Sequence, residues 1–128
     1  MRLLAESLDT LVVEPEHGLA WITVPPGALE RHGTVVDDLD GVVEFARSIR
    51  GVRMAVLFRQ LAGGRIKVSL RSTGGVDVAR FARTFGGGGH TRAAGASLSG
   101  ALDEVQHHVL GAARGFLAGT LTRPSRDG

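Results

Sequence analysis

Four consecutive glycines, Gly86, Gly87, Gly88 and Gly89, run directly into His90, Arg92 and the small-residue tract Ala93-Ala94-Gly95-Ala96. No other segment constrains this chain as strongly. Each glycine inside a helix or strand costs backbone entropy and adds no packing, so the run predicts a turn. It follows a helical pattern and ends in two side chains with directed donors, which is unlike a linker. Two readings remain open at this point. Glycines let backbone N–H groups converge on an anion without a Cβ in the way, so the segment can form part of a phosphate or nucleotide pocket. They can also form a wide turn that lets a helix pack on a sheet.

The chain has 128 residues, which suits one domain with its own core. Its longest apolar runs fall far short of the roughly 20 residues of a membrane span. The segment Met1-Arg2-Leu3-Leu4-Ala5-Glu6 has neither the pattern nor the cleavage site of a signal peptide, so a cytoplasmic location is expected. With no cysteine there are no disulfides and no thiolate metal ligands. The formal net charge is +2, and Lys67 is the only lysine, so positive charge comes almost wholly from arginine, whose planar fork suits phosphate.

Read along the chain, residues 2–9 suit a short helix. Strands at 11–14 and 19–24 flank the turn residues Pro15-Glu16-His17-Gly18 as a hairpin. Residues 28–32 suit one helical turn. A helix is predicted over 37–50, opened by the capping carboxylates Asp37, Asp38 and Asp40 and stopped at Gly51. A second hairpin joins 52–59 to 65–71. In its later strand Ile66, Val68 and Leu70 face a core, whereas Arg65, Lys67, Ser69 and Arg71 form a basic face. Asp77 opens a helix to about Phe85, a short strand follows at 95–98, and the last helix covers about 101–117. The fold class expected is α/β: a single domain whose mixed sheet of about five short strands packs with three or four helices. Its domain is placed at 1–120, with a flexible tail at 121–128.

Arg71 at a strand end, Ser72 beside it, and the turn with Gly86, Gly87, Gly88, Gly89, His90 and Arg92 could converge on one anion. His107 and His108 are adjacent on a helix and do not share a face, so they suit no metal site. Trp21 suits a core better than a base-stacking platform. No cluster of carboxylates and histidines is spaced to hold hydrolytic metals. The chain has the parts to hold a phosphate and lacks the parts to cut one.

At Ser69-Leu70-Arg71-Ser72, the Asp-headed helix after it, and Gly-Gly-Gly-Gly-His-x-x-Ala-Ala-Gly at 86–95, the chain resembles the C-terminal DHH-associated domain of DHH-family phosphoesterases. The similarity is to the short-oligoribonuclease and phosphoadenosine-phosphate phosphatase branch, within the RecJ-like superfamily. It implies a substrate-binding domain for short RNA, phosphoadenosine phosphate or dinucleotides, inactive alone. Hydrolysis would belong to an N-terminal DHH domain of the same protein that binds Mn2+ and is absent from this chain; this chain itself would bind no cofactor. Carried over by motif, Arg71 and Ser72 would contact the nucleotide, the amides of 86–89 its phosphate, and His90 the phosphate near the metals. Arg92 occupies a variable position. A homodimer is compatible with the resemblance. A non-enzymatic nucleotide- or RNA-binding module is the alternative.

Overall fold

The computed structural model describes residues 6–24, 27 and 38–122. Of the helix expected at 2–9, residues 6–8 are helical and Asp9 is in a turn, whereas residues 2–5 lie outside the described residues. The helical turn expected at 28–32 and residues 123–128 lie outside the described residues. A six-stranded sheet has the order β1-β2-β3-β4-β6-β5, with β1 Val12–Glu14, β2 Leu19–Val24, β3 Met54–Leu61, β4 Arg65–Ser72, β5 Gly88–His90 and β6 Ala93–Ser99. Only β2 and β3 pair in parallel; the other neighbours are antiparallel. Parallel pairing needs a crossover, and the connection between β2 and β3 contains helix α1, Asp38–Arg47. Helices α2, Val78–Arg83, and α3, Leu102–Thr122, follow β4 and β6.

Strand alternation divides the core into two layers. Met54, Val56 and Phe58 of β3 and Ile66, Val68 and Leu70 of β4 face α2 and α3. Phe81 lies in this layer, edge-on to Phe85, with ring centroids 5.2 Å apart. Ala55 and Leu57 of β3 point the other way, with Ala20 and Ile22, onto Leu39, Val42, Val43 and Ala46 of α1. The α-side stripe of α2 contains Phe81, which the sequence pattern did not single out.

The architecture is the α/β class expected, with one strand more than anticipated. The extra strand is β5, drawn from the glycine run itself. Glycine has poor strand propensity in isolation, but here close packing requires it. A Cβ on Gly87 would lie 2.1 Å from the Gly95 carbonyl oxygen. On Gly89, whose φ is +144°, it would lie 2.6 Å from Ala94 Cα. The last helix also runs further than Leu117, to Thr122, so 121–122 are helical and not tail.

One ion pair ties the first sheet edge to the last helix. Arg114 donates from Nε to Glu14 Oε1 at 2.8 Å and from its terminal nitrogen to Oε2 at 2.9 Å. His17 Nδ1 lies 3.0 Å from the same Oε1. The hydrogen bonds from Arg114 hold the Glu14 carboxyl below its ordinary value of 4.5, against the opposing effect of burial. A depressed folded-state pKa gives stability that is present above the unfolded value and lost as pH falls through the folded one. Glu14→Gln is therefore expected to lower the melting temperature at pH 7 by a few degrees, for a loss of about 1 kcal/mol. That gap should close as the pH falls through and below the ordinary carboxylate range in thermal melts followed by circular dichroism. A gap independent of pH would assign the effect to shape and not to charge.

Candidate functional site

Helix α1 covers β2 and β3 but leaves the same face of β4, β6 and β5 partly open, and a cavity of about 320 Å³ lies there. Its wall is Leu39, Asp40 and Val43 of α1. Its floor is Gly88, Ala93, Ala94 and Gly95. Its cations are Arg59, Lys67 and Arg71, with Ser69 between them. Residues directly opposite each other on neighbouring strands share a face. The register sets Arg71 opposite Ala93, and Ala93 opposite His90. Arg71 and His90 thus flank a small alanine on one face, two strand spacings or roughly 10 Å apart. The next row along is Ser69, Gly95 and Gly88.

Arg71 does not stand free. Its side chain is only 15% exposed, one terminal nitrogen lies 3.0 Å from Asp40 Oδ1, and its Nε lies 3.2 Å from Glu44 Oε2. The other terminal nitrogen donates to the Leu70 carbonyl at 3.0 Å. Asp40, expected as a helix cap, is thus an ion-pair partner of Arg71. Glu44 is also held by Arg47, whose Nε donates to Oε1 at 2.7 Å. Among the described residues, neither Arg59 nor Lys67 forms an ion pair.

The glycine run divides between two tasks. The Gly86 N–H donates to the Arg83 carbonyl and the Gly87 N–H to the Ala82 carbonyl. With Gly86 at φ +83°, these bonds form a Schellman-type stop to α2. The amides of Gly86 and Gly87 are therefore engaged by the helix and do not point at a ligand, which corrects the expectation of a four-amide cradle. Only Gly88 of the four lines the cavity. A Cβ there would meet nothing within 4 Å, so this glycine leaves open space above the sheet.

Two other expected contacts are also corrected. Ser72 is 1% exposed, and its hydroxyl donates to the Val76 carbonyl at 2.7 Å and lies 3.1 Å from that of Thr91. Its N–H donates to the Arg92 carbonyl. Ser72 therefore fastens the β5–β6 turn to the end of β4 and does not reach a nucleotide in the cavity. Arg92 sits in that turn and lines a second cavity with Gly75, Val76, Asp77 and Thr91, apart from Arg71. Lys67, which alternation had placed on a merely basic face, and Arg59 of β3, which no sequence pattern singled out, belong to the same cavity as Arg71. The β4 pattern carried that signal, but only pairing with β6 and β5 shows that the face lines a cavity. Among the described residues, no group of three or more His, Asp or Glu side chains could hold a metal ion. No helix there is long and apolar enough to cross a membrane.

Residues 22–115 match the family of DHHA1 domains. The bifunctional oligoribonuclease and PAP phosphatase NrnA of Thermus thermophilus is 43% identical over 79 residues, which are 61% of this chain and 24% of that protein. Its Bacillus subtilis namesake is 35% identical over 83 residues, 65% of this chain and 26% of that protein. The chain thus spans about a quarter of the length of these relatives. Among solved structures, an exopolyphosphatase-related protein from Bacteroides fragilis superposes with a TM-score of 0.84 at 26% identity, over 94% of this chain and 35% of its own. A pGpG-specific phosphodiesterase, PggH, from Vibrio cholerae shares the fold, with a TM-score of 0.59 at 9% identity over 91% of this chain and 38% of its own.

Proposed function

The chain belongs to the DHHA1 domain family, and on that premise we propose that it is the substrate-holding domain of a DHH-type phosphoesterase. The substrate class is short oligoribonucleotides, phosphoadenosine phosphate or dinucleotides. The observation that carries this reading is the row of Arg71, Ala93 and His90 across three strands beside a cavity whose cations are Arg59, Lys67 and Arg71. A guanidinium takes a phosphate bidentately. The small floor of Gly88, Ala93 and Gly95 lets a flat group lie close to the backbone. The names of the Thermus and Bacillus relatives, oligoribonuclease and PAP phosphatase, suit this ligand class.

In this reading, cleavage and the Mn2+ ions belong to an N-terminal DHH domain of the same protein. The residues described here do not fit a metal centre. This chain contributes positioning and positive charge at the phosphate.

A calorimetric titration of the 128-residue chain with a 5′-phosphorylated diadenylate, at several salt concentrations, tests the reading. Binding should weaken with salt, with a slope near 0.7 for each phosphate neutralised. The slope should not steepen for a long RNA, because the site is short. A slope that steepens with RNA length would favour a stand-alone RNA-binding module. A folded chain that binds neither the diadenylate nor phosphoadenosine phosphate would overturn this face as the substrate site.

A further inference from the structure

We infer that Asp40 is a stand-in anion occupying the place of a substrate phosphate on Arg71, and that Glu44 is the residue that positions this arginine. The inference rests on the reading of the basic face as the substrate site.

A guanidinium has five N–H donors. Two on Arg71 are hydrogen-bonded, to the Leu70 carbonyl and to Asp40, and its Nε lies 3.2 Å from Glu44 as an ion pair. The two carboxylates are not equivalent. Glu44 is held from behind by Arg47, through both Nε and a terminal nitrogen at 2.7 Å, and is not part of the cavity lining. It fixes the Nε edge of Arg71 and has its own reason to stay. Asp40 lines the cavity, its side chain is 71% exposed, and Arg71 is its ion-pair partner among the described residues. A carboxylate inside a phosphate site repels the ligand unless it can leave. This one can, because it is largely in water and, among the described residues, its side chain is held by Arg71.

Carboxylate and phosphate oxygens meet a guanidinium in similar geometry. Asp40 therefore keeps the largely buried Arg71 charge compensated until a phosphate replaces it. An uncompensated buried charge is costly, so the exchange keeps the arginine in place with and without ligand. The ligand chemistry is a phosphomonoester or phosphodiester; neither carboxylate discriminates the attached base.

The two residues should therefore have opposite effects. In titrations of the 128-residue chain with 5′-phosphorylated diadenylate, Asp40→Asn is expected to bind roughly three- to tenfold more tightly, because a competing charge is gone. Glu44→Gln is expected to bind roughly three- to tenfold more weakly, because the arginine loses its anchor. Asp103→Asn removes the same charge from α3, on the opposite side of the sheet, and should leave affinity unchanged. A general loosening of α1 would move both α1 variants the same way. Shifts in the same direction, no shift in either, or equal tightening by Asp103→Asn would overturn the inference. If Arg71→Ala binds as well as the wild type, the reading of the site fails first. If neither wild type nor Asp40→Asn binds, both fail.

Discussion

Replacing Arg71 by alanine will lower the affinity of the chain for 5′-phosphorylated diadenylate by about a hundredfold, a loss of about 2–3 kcal/mol. The side chain is mostly covered, and its guanidinium already lies between two carboxylates, so little conformational entropy remains to be lost when a phosphate arrives. The fold should survive, because Asp40 and Glu44 are exposed enough to turn to solvent. Calorimetry reads the affinity, and a melting temperature within a few degrees of wild type shows the fold intact. His90→Ala should lose about tenfold, since it removes one donor at the end of the row and no buried contact. If a DHH domain completes the enzyme as proposed, both variants should lower its turnover, because a misplaced phosphate misses the attacking water. Wild-type affinity in both variants would remove the row from the site.

Gly87→Ala should destabilise the chain by about 3 kcal/mol and lower the melting temperature by roughly 10 °C. Its methyl would meet the Gly95 carbonyl oxygen at 2.1 Å and Ala96 at 2.7 Å. Those atoms are backbone and a stiff short side chain, so β5 would have to part from β6. Gly88→Ala, one residue on, is the control. It meets nothing within 4 Å, so its stability should change little. Its methyl would enter the cavity floor and weaken ligand binding instead. Thermal melts and titrations on the same two proteins separate the effects. Equal stability loss in both would mean that glycine content as such, and not close approach, explains the run.

These variants also mark how far the sequence could be read. The hairpins, the helices α1 and α3 and the alternation of β4 are local patterns, written in residue spacing of 2 or about 3.6, and they appear close to where they are expected, with α1 ending at Arg47 and not at residue 50. The pairing of Arg71 with the glycine–histidine motif was legible as a resemblance. Its physical basis, the register of β4, β6 and β5, involves residues about 20 apart in the chain and has no local signature. Ser72 carries no local sign of its place, because a serine beside an arginine looks the same in sequence whether it faces a cavity or two backbone carbonyls.

The glycines show the division most plainly. By itself the sequence determined that this segment must allow close backbone approach, because only residues without a Cβ were placed there. What approaches was decided by the tertiary structure. Gly86 and Gly87 stop α2 by hydrogen bonding to its last carbonyls, Gly87 and Gly89 let β5 lie against β6, and Gly88 alone opens the cavity floor. Local backbone freedom is a property of the residue. Its use depends on which distant strand packs against it, and that is set by the burial of two apolar layers on either side of one sheet.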